Sequence, residues 1–294
     1  MMNSKRILVA ASLTEGRDAA FERGLALARA SGAEMYLLHA VPANQPFSLG
    51  GTHRLERTAE LRSRAEQAGV VVRTVEQHGD PTEIIELHGN ARAVDLIVMG
   101  ADRTLGSRWL RRASIAERVL RRTTKPTLIV PIDDDAESGF SNLLVAVDLS
   151  PASKEIVDYA VQLPGGDSPR LTVVHAARRI ESAAAVQSPA RWMVPEYRTY
   201  VLEDARRQLE AVADVPSTVE TRVQIATGSH AKAIVEEAEA INADLIVVGR
   251  SGRFRPLGST ALRVLRDNTR ALLVVPITEA LRTSEIAEQY RRAA

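Results

Sequence analysis

Five short segments of this chain occur twice, in the same order, once in each half of its 294 residues. The pairs are Ile7–Ala11 with Leu143–Val147, His39–Ala40 with His175–Ala176, Asp95–Gly100 with Asp244–Gly249, Ser114–Arg121 with Ser259–Arg266, and Leu128–Ile132 with Leu273–Ile277. The spacing between partners shows that the second copy has extra residues before Gly228 and fewer after Gly249. Chance produces one such match but not five in order, so the chain contains an internal repeat.

Each copy alternates short β-branched apolar runs with segments of helical periodicity. The runs Leu96–Met99 and Leu245–Val248 are apolar throughout, as in strands covered on both faces of a parallel sheet. Helical segments such as Asp18–Ser31 and Lys232–Ile241 supply the crossover connections. The predicted strands are 5–11, 34–41, 70–76, 94–99 and 126–131 in the first copy, and 142–147, 170–176, 219–225, 243–248 and 271–276 in the second. We therefore expect an α/β fold of two tandem, doubly wound, five-stranded parallel sheets.

An acidic stretch, Asp133–Gly139, lies between the two copies. Its small and charged residues are typical of a solvated linker. We expect one domain at residues 1–135, a second at 140–278, and a helical tail at 279–294.

Composition narrows the possible functions. Thirty-eight basic residues against thirty-seven acidic ones give a net charge of +1, which argues against salt-sensitive binding of nucleic acid as the main role. Cysteine is absent, so disulfides, thiolate zinc sites and cysteine nucleophiles are excluded. The first residues lead directly into a predicted strand, and no apolar run of roughly eighteen residues occurs. We expect a cytoplasmic protein that does not act at a membrane.

Ligands of doubly wound sheets bind beyond the carboxyl ends of the strands, where the strand order reverses. In the second copy these ends and the loop after strand four carry Asp148, His175, Ala176, Gly249, Gly252, Gly258 and Ser259. Glycines let the backbone approach a ligand, and the free N–H groups that open the helix after Gly258 form a place for an anion. The Ser259 hydroxyl either caps that helix or binds a phosphate.

Other nucleotide and catalytic motifs are missing from the sequence. It contains no G-x-x-x-x-G-K-[ST] and no G-x-G-x-x-G after strand one, which disfavours a P-loop NTPase and a dinucleotide-dependent dehydrogenase. G-x-S-x-G and H-E-x-x-H are absent too, so the hydrolase and zinc-protease interpretations gain no support.

The chain as a whole resembles a tandem universal stress protein. The resemblance rests on V-D-L-S at Val147–Ser150, L-x-V-V-H at Leu171–His175, D-L-I-V-V-G at Asp244–Gly249 and the V-V-P-I ending at Val274–Ile277. ATP-binding members of that family carry G-x2-G-x9-G-[ST] after strand four. The second copy keeps the three glycines and the serine, but its loop is four residues shorter.

This resemblance implies Rossmann-like domains of the adenine nucleotide alpha-hydrolase type, packed as a pseudo-dimer through their last strands, Thr127–Pro131 and Leu272–Pro276. It implies ATP, or else ADP or AMP, in the second copy. Asp148 would lie beside the adenine and ribose, and the backbone of Ala176 at the adenine edge. The phosphates would be held by Gly249, Gly252, Gly258 and Ser259.

The first copy departs from the family pattern at the same places. Ser12 replaces the strand-one aspartate, and the loop after Gly100 has Arg103 and Ala113 in place of two glycines, although Ser114 remains. We expect its nucleotide loop to be degenerate.

Several residues allow two interpretations. Asp148 either caps the helix that begins near Ser150 or contacts the ligand, and it can do both. Arg250, Arg253 and Arg255 form either a solvated basic loop, which we favour, or a phosphate contact. The segment 178–197, which includes Trp192, occurs only in the second copy and is either a lid or a surface excursion.

Basic and histidine residues elsewhere have simpler explanations. The arginines of the first copy are better explained by ion pairs within the chain, or by a solvated face, than by nucleic-acid binding; they are Arg103, Arg108, Arg111, Arg112, Arg121 and Arg122. His39 and His175 are repeat partners and are expected to be structural. The other histidines lack tight ligand spacing, so no metal site is predicted.

Three functions follow from these observations. The leading prediction is an ATP-binding regulatory stress-response protein without fast catalysis, since no general base or pair of metal-binding carboxylates accompanies the loop. The alternatives are a non-nucleotide signalling scaffold that acts through unidentified protein partners, and a slow ATPase or self-phosphorylating protein. Whether tandem chains pair further into a homodimer stays open.

Overall fold

The structure is a computed structural model that describes residues 6–13, 18–42, 51–101, 113–134, 139–163, 165–177, 194–250 and 258–277. Its strands are β1 Arg6–Ala10, β2 Glu34–Val41, β3 Val72–His78, β4 Leu96–Gly100, β5 Thr127–Val130, β6 Phe140–Val147, β7 Gly165–Ala177, β8 Glu220–Thr227, β9 Leu245–Arg250 and β10 Ala271–Pro276. Its helices are α1 Ala19–Ser31, α2 Gly51–Gln67, α3 Pro81–Ala91, α4 Ile115–Arg122, α5 Ser153–Gln162, α6 Val194–Val212, α7 His230–Ala240 and α8 Ser259–Asp267. The ten predicted strands are confirmed, with ends shifted by a few residues.

Local sequence explains where the first helix begins and ends. The Asp18 carboxylate accepts a hydrogen bond from the backbone N–H of Phe21 at 3.0 Å, which caps the amino terminus of α1. Gly32 ends the helix with φ of 68°, a left-handed conformation that glycine adopts without strain. The segment predicted from periodicity, Asp18–Ser31, is therefore the helix with its cap.

The ten strands form one sheet in the order β3-β2-β1-β4-β5-β10-β9-β6-β7-β8. Strands within each half pair in parallel, so each half is a doubly wound sheet whose order reverses between its first and fourth strands. In the first strand Ile7 and Val9 pack into the core on one face, and Leu8 packs into the core on the other. All three side chains are fully buried, which accounts for the uninterrupted apolar runs.

The two halves join through their last strands. β5 and β10 pair antiparallel, with Leu128 opposite Leu273 and Ile129 opposite Leu272. All four side chains are buried. This confirms the predicted pseudo-dimer, in which each half covers an apolar edge of the other.

The link between the halves differs from its prediction. Asp133 is exposed, but Asp134 is 8% exposed and accepts a hydrogen bond from Arg23 Nε at 2.8 Å. The Arg23 guanidinium also lies 4.2 Å from the centroid of the Phe140 ring at the start of β6. The expectation of a fully solvated linker is therefore wrong for Asp134, because Arg23 supplies the charge partner that a buried carboxylate requires.

Within the described ranges, no helix combines the length and the apolar character needed to cross a bilayer. The predicted tail at 279–294 lies outside the described residues.

Candidate functional site

A cavity of about 430 Å³ opens at the carboxyl ends of β6, β7 and β9 in the C-terminal half. Four of the six predicted site residues line it: Asp148, Ala176, Gly249 and Gly258. Ser259 is exposed and does not appear in the lining, and Gly252 lies outside the described residues. We name this space the C-terminal cavity.

Asp148 follows β6 and orders the turn that leads to α5. Its Oδ1 accepts hydrogen bonds from the backbone N–H of Ser150 at 3.0 Å and from the Ser153 hydroxyl at 3.4 Å. The helix begins at Ser153 rather than near Ser150, and its N-cap residue is Ala152, so Asp148 is not the helix cap. Its side chain is exposed, and no described residue bonds Oδ2, which leaves that oxygen available to a ligand.

The loop around Asp148 keeps one backbone shape in both halves. Leu149 has φ of 61°, and its repeat partner Leu13 has φ of 53°. Such left-handed conformations are unfavourable for leucine by roughly 1–2 kcal/mol and persist where surrounding structure enforces them. The two sites therefore share a strained strand-one loop although Ser12 and Asp148 differ.

The amino terminus of α8 borders the C-terminal cavity. Gly258 is its N-cap residue, and no side chain among the described residues caps it. Ser259 is the first helical residue, so its predicted capping role is wrong. In the first half the repeat partner Ser114 does cap, because its hydroxyl accepts from the backbone N–H of Glu117 at 3.1 Å. No side chain of the described residues therefore occupies the backbone N–H groups at the start of α8, and these groups suit an anion. At the start of α4, the Ser114 hydroxyl already occupies one of the equivalent groups.

Gly249 serves packing within the chain. A Cβ at this position would overlap Cδ1 of the buried Ile156 in α5 and would lie 3.4 Å from its Cγ1. Its repeat partner Gly100 has no atom within 4 Å of the same position. Close approach of helix to strand, besides any ligand, accounts for the glycine after β9.

The repeated histidines are structural, as predicted. Nδ1 of His175 lies 3.0 Å from the carbonyl oxygen of Val147, and Nδ1 of His39 lies 3.0 Å from that of Ala11. Because a carbonyl only accepts, Nδ1 carries the proton in each ring, and the bond ties the second strand to the end of the first.

Sequence reasoning missed several cavity residues. Thr260, the second residue of α8, and His230, the first residue of α7, both line the C-terminal cavity. So do Ile156, Ile234 and Ile277. For Thr260 and Ile277 the available signal was the repeat itself, because both lie inside matched segments, whereas Ile156, His230 and Ile234 lie outside them.

Arg250, the last residue of β9, has a different role from either one predicted for it. Arg250 is 3% exposed, and its guanidinium donates to the carbonyl oxygen of Leu120 in α4 of the other half. It is therefore neither solvated nor available to phosphates. Arg253 and Arg255 lie outside the described residues, as does Trp192.

The described members of the basic cluster form ion pairs within the chain, as predicted. Arg121 contacts Glu117 at 2.8 Å, and Arg122 contacts Glu86 at 2.7 Å. The other arginines of the cluster lie outside the described ranges. Among the residues that are described, no group of three or more histidine, aspartate or glutamate side chains is placed to hold a metal ion.

The first half also contains a cavity, of about 650 Å³, at the carboxyl ends of β1, β2 and β4. Ser12, His39 and Met99 line it, together with Arg54 from α2. We name it the N-terminal cavity. The first half therefore keeps a cavity at the equivalent strand ends, although Ala113 stands in the place of Gly258.

Two doubly wound sheets joined edge to edge, each with a cavity where its strand order reverses, define a tandem α/β protein. The chain belongs to the universal stress protein family, a family of stress-response proteins, whose profile matches residues 3–131 and again 139–276. It is 29% identical over 143 residues to universal stress protein A homolog 1 of Coxiella burnetii, a match that covers 48% of this chain and 99% of the relative. Homolog 2 of the same organism is 28% identical over 143 residues, covering 47% of this chain and 97% of the relative.

Solved structures match nearly the whole chain. A universal stress protein from Archaeoglobus fulgidus has a TM-score of 0.67 and 22% identity, covering 94% of this chain and 97% of its own. A functionally unknown protein from Pseudomonas aeruginosa PAO1 has a TM-score of 0.71 and 17% identity, covering 98% of each chain. At these identities the likeness shows the fold alone.

Proposed function

We propose that this chain is an ATP-binding regulatory protein of the stress response, with the nucleotide in the C-terminal cavity. The observation that carries the proposal is the pairing of two features at one cavity. Asp148 presents an unused carboxylate oxygen, and α8 opens at Gly258 without a side-chain cap from the described residues. A hydrogen-bond acceptor for ribose hydroxyls and an anion site for phosphates are what an adenine nucleotide needs.

The remaining walls support the same ligand. Ala176, Val248 and Ile234 give the cavity apolar surface for a flat base, and its volume lies in the usual range for small-molecule sites, roughly 300–1,000 Å³. Thr260 adds a hydroxyl beside the opening of α8. The assigned site is Asp148, Ala176, Gly249, Gly252, Gly258 and Ser259, extended by Thr260.

We assign the nucleotide a regulatory role. Asp148 is the one carboxylate among the described residues that line the cavity. Enzymes of phosphoryl transfer use carboxylates to hold metal ions and a further group to position the nucleophile. Turnover above a slow background is therefore not expected.

The test is calorimetric titration of the purified protein with ATP in magnesium buffer. We expect one equivalent per chain, because the first copy has lost the aspartate and two glycines. Gly258→Val should abolish binding, since a β-branched side chain crowds the open N–H groups. Ser259→Ala should weaken binding several-fold through loss of one hydroxyl.

Ser12→Ala is the matched control, because Ser12 occupies the place of Asp148 in the first half, and it should leave ATP affinity unchanged. Absence of ATP binding by the parent protein would remove the proposal and favour the scaffold function. Two equivalents per chain would contradict the assignment to the C-terminal half alone.

A further inference from the structure

We infer that His230 contacts the base of the nucleotide in the C-terminal cavity, with its imidazole ring stacked on the purine. This inference rests on the proposed function and deepens it, because it assigns the two ends of the cavity to different parts of the ligand. His230 lies outside the nucleotide motif, and its repeat partner in the first copy is Pro81. The two copies therefore differ in side-chain chemistry at this position.

The strand order fixes the direction in which a nucleotide lies in the C-terminal cavity. β6 lies between β9 and β7 in the sheet, so Asp148 lies between Gly249 on one side and Ala176 on the other. Neighbouring strands are about 4.8 Å apart, which separates the ends of β9 and β7 by roughly 10 Å. Gly258 and the opening of α8 follow β9. A nucleotide with its phosphates at α8 and its ribose at Asp148 therefore places its base at the end of β7.

A backbone hydrogen bond holds the start of α7 beside the end of β7. The N–H of Gly228 donates to the carbonyl oxygen of Ala177, the residue after Ala176, at 3.2 Å. His230, two residues further on, is the first residue of α7 and lines the cavity. Ile234 also lines it, and residues four apart in a helix lie on the same face. The wall at the base end therefore has the buried Ile234 at its depth and the exposed His230 at its rim.

His230 has no structural role that accounts for its place at the rim. Its side chain is exposed, and no hydrogen bond or ion pair among the described residues involves its ring. The ring of His175, in contrast, is bonded to the carbonyl oxygen of Val147. Within the part of the chain that the structure describes, no cluster of three or more metal-ligating side chains includes His230. Its aromatic ring is therefore available to a ligand.

The first copy keeps the turn but not the ring. Gly79 donates to the carbonyl oxygen of Val41 at 2.9 Å, and both this glycine and Gly228 have positive φ. Pro81 then begins α3 and lines the N-terminal cavity. Proline suits the first position of a helix, because the N–H that it lacks has no partner within the helix there. Neither the turn nor the helix start therefore requires a histidine in the second copy.

An imidazole ring at the rim suits a purine. Ala176 and Ile234 give the base end apolar surface, and the ring of His230 covers the face of the base that is directed towards solvent. Stacking depends on the π-face that every base has, so its contribution does not depend on the number of phosphates. His230 should therefore strengthen the binding of every ligand that contains the base.

The experiment is calorimetric titration of the purified protein with ATP, adenosine and inorganic tripolyphosphate in magnesium buffer. His230→Ala should lower the affinity for ATP and for adenosine by the same factor, roughly tenfold, and leave that for tripolyphosphate unchanged. His230→Phe, which keeps an aromatic ring, should retain the affinities of the parent. Ser229→Ala, at the exposed neighbouring residue outside the lining, is the matched control and should change none of them.

Thr260→Val tests the other end of the cavity. It removes the hydroxyl beside the opening of α8 and keeps the shape of the side chain. ATP and tripolyphosphate should therefore bind several-fold more weakly, while adenosine affinity stays the same. Identical ligand patterns for Thr260→Val and His230→Ala would overturn the assignment of the two ends.

Proton NMR gives a signature of stacking. The ring signals of His230 are identified by their loss in His230→Ala. Adenosine should move them upfield, since protons above the face of an aromatic base are shielded, and tripolyphosphate should leave them in place. A shift with tripolyphosphate alone, or no shift with adenosine, contradicts stacking on the base.

Failure of the His230 assignment and failure of the proposed function give different results. If the parent binds ATP and His230→Ala binds it equally well, the role of His230 is refuted and the nucleotide function stands. A loss in His230→Phe as large as that in His230→Ala refutes the aromatic contact. If the parent binds none of the three ligands, the proposed function is wrong, and the assignment of His230 is wrong with it.

Discussion

At the scale of single residues, equivalent positions in the two copies have acquired different roles. Asp148 accepts hydrogen bonds from Ser150 and Ser153 through Oδ1, whereas the residue at the same place in the first copy is Ser12, which has no carboxylate. A Cβ at Gly249 would overlap Ile156 of α5, whereas a Cβ at Gly100 would have no atom within 4 Å. The identity of a repeated residue therefore does not carry its role from one copy to the other.

Replacing Gly249 by alanine tests the packing role. The new methyl group overlaps Ile156, so Gly249→Ala should destabilise the protein by about 1–3 kcal/mol in urea unfolding. Gly100→Ala is the matched control and should be neutral or slightly stabilising. Adding Ile156→Val, which removes the clashing Cδ1, should recover part of the loss, and strictly additive effects would contradict the predicted contact.

Asp148→Asn tests the proposed ligand role of Asp148, in the loop after β6. The asparagine oxygen can still accept from Ser150, so the turn should persist, while the charged acceptor is lost. A hydrogen bond to a charged group contributes about 1.5–3 kcal/mol, so ATP affinity should fall roughly tenfold or more in calorimetry. Asp158→Asn, which changes a surface partner of Lys154 in α5, is the control. Equal affinities for the two variants would refute a role for Asp148 in binding.

At the scale of elements, the two copies begin their third crossover helices differently. Asp80 accepts from the backbone N–H of Thr82 at 2.7 Å and of Glu83 at 3.3 Å, and it contacts Arg118 of α4 at 2.9 Å. Ser229, at the matching place before α7, makes no side-chain cap. Gly79 and Gly228, which precede them, both have positive φ, so the turn itself is shared.

Replacing Asp80 should therefore lower the free energy of unfolding more than replacing Ser229, its repeat partner. Asp80→Ala should lower the free energy of unfolding by about 1–2 kcal/mol, and Ser229→Ala should change it by a few tenths. Burial acts to raise the pKa of Asp80, but the hydrogen bonds from Arg118, Thr82 and Glu83 outweigh it and lower the pKa.

This lowered pKa gives the variant a pH signature. The ionised Asp80 carboxylate stabilises the fold fully at pH values above the ordinary carboxyl pKa of about 4. This stabilisation is lost as the pH falls through the lowered pKa of the folded state. The stability difference between Asp80→Ala and the parent should therefore be full at pH 7 and shrink in strongly acidic buffer. A difference that stays constant down to acidic pH would show that the carboxylate is not its source.

At the scale of the whole molecule, α4 of the first half bonds to β9 and α8 of the second half, the elements that border the C-terminal cavity. Glu117 is 5% exposed and contacts Arg266 of α8 at 2.9 Å as well as Arg121 of its own helix. Leu120 accepts from Arg250 at the end of β9. In the repeat register the partner of Glu117 is Leu262, so the connection is asymmetric.

Glu117→Gln should lower the free energy of unfolding, because Glu117 bonds to arginines of both halves. Burial acts to raise the pKa of Glu117, but its bonds with Arg121 and Arg266 lower it overall, so the side chain is charged at neutral pH. Losing that charge between two partly exposed arginines should cost about 1–3 kcal/mol in urea unfolding. Glu83→Gln, which alters an exposed pair with Arg122 at 3.6 Å, should cost less than about 0.5 kcal/mol. A loss no larger than that of the control would mean that Glu117 does not join the halves.

Patterns along the chain determined the architecture. The repeat and its apolar runs predicted ten strands and two doubly wound sheets, because burial on both faces requires apolar residues in every strand. The pairing of β5 with β10 was implied by the family resemblance. They also placed Asp148, Ala176, Gly249 and Gly258 at one cavity, since the carboxyl ends of parallel strands meet at one edge.

Only the tertiary structure decided which residues are buried together across long stretches of sequence. Arg250 bonds Leu120, 130 residues away, and Arg23 bonds Asp134, 111 residues away. Arg54 enters the N-terminal cavity from a helix whose sequence carries no motif. Periodicity reports which face of an element is buried, whereas a charged side chain takes its role from the particular groups that desolvate and pair with it, and those are set by the packing of distant segments.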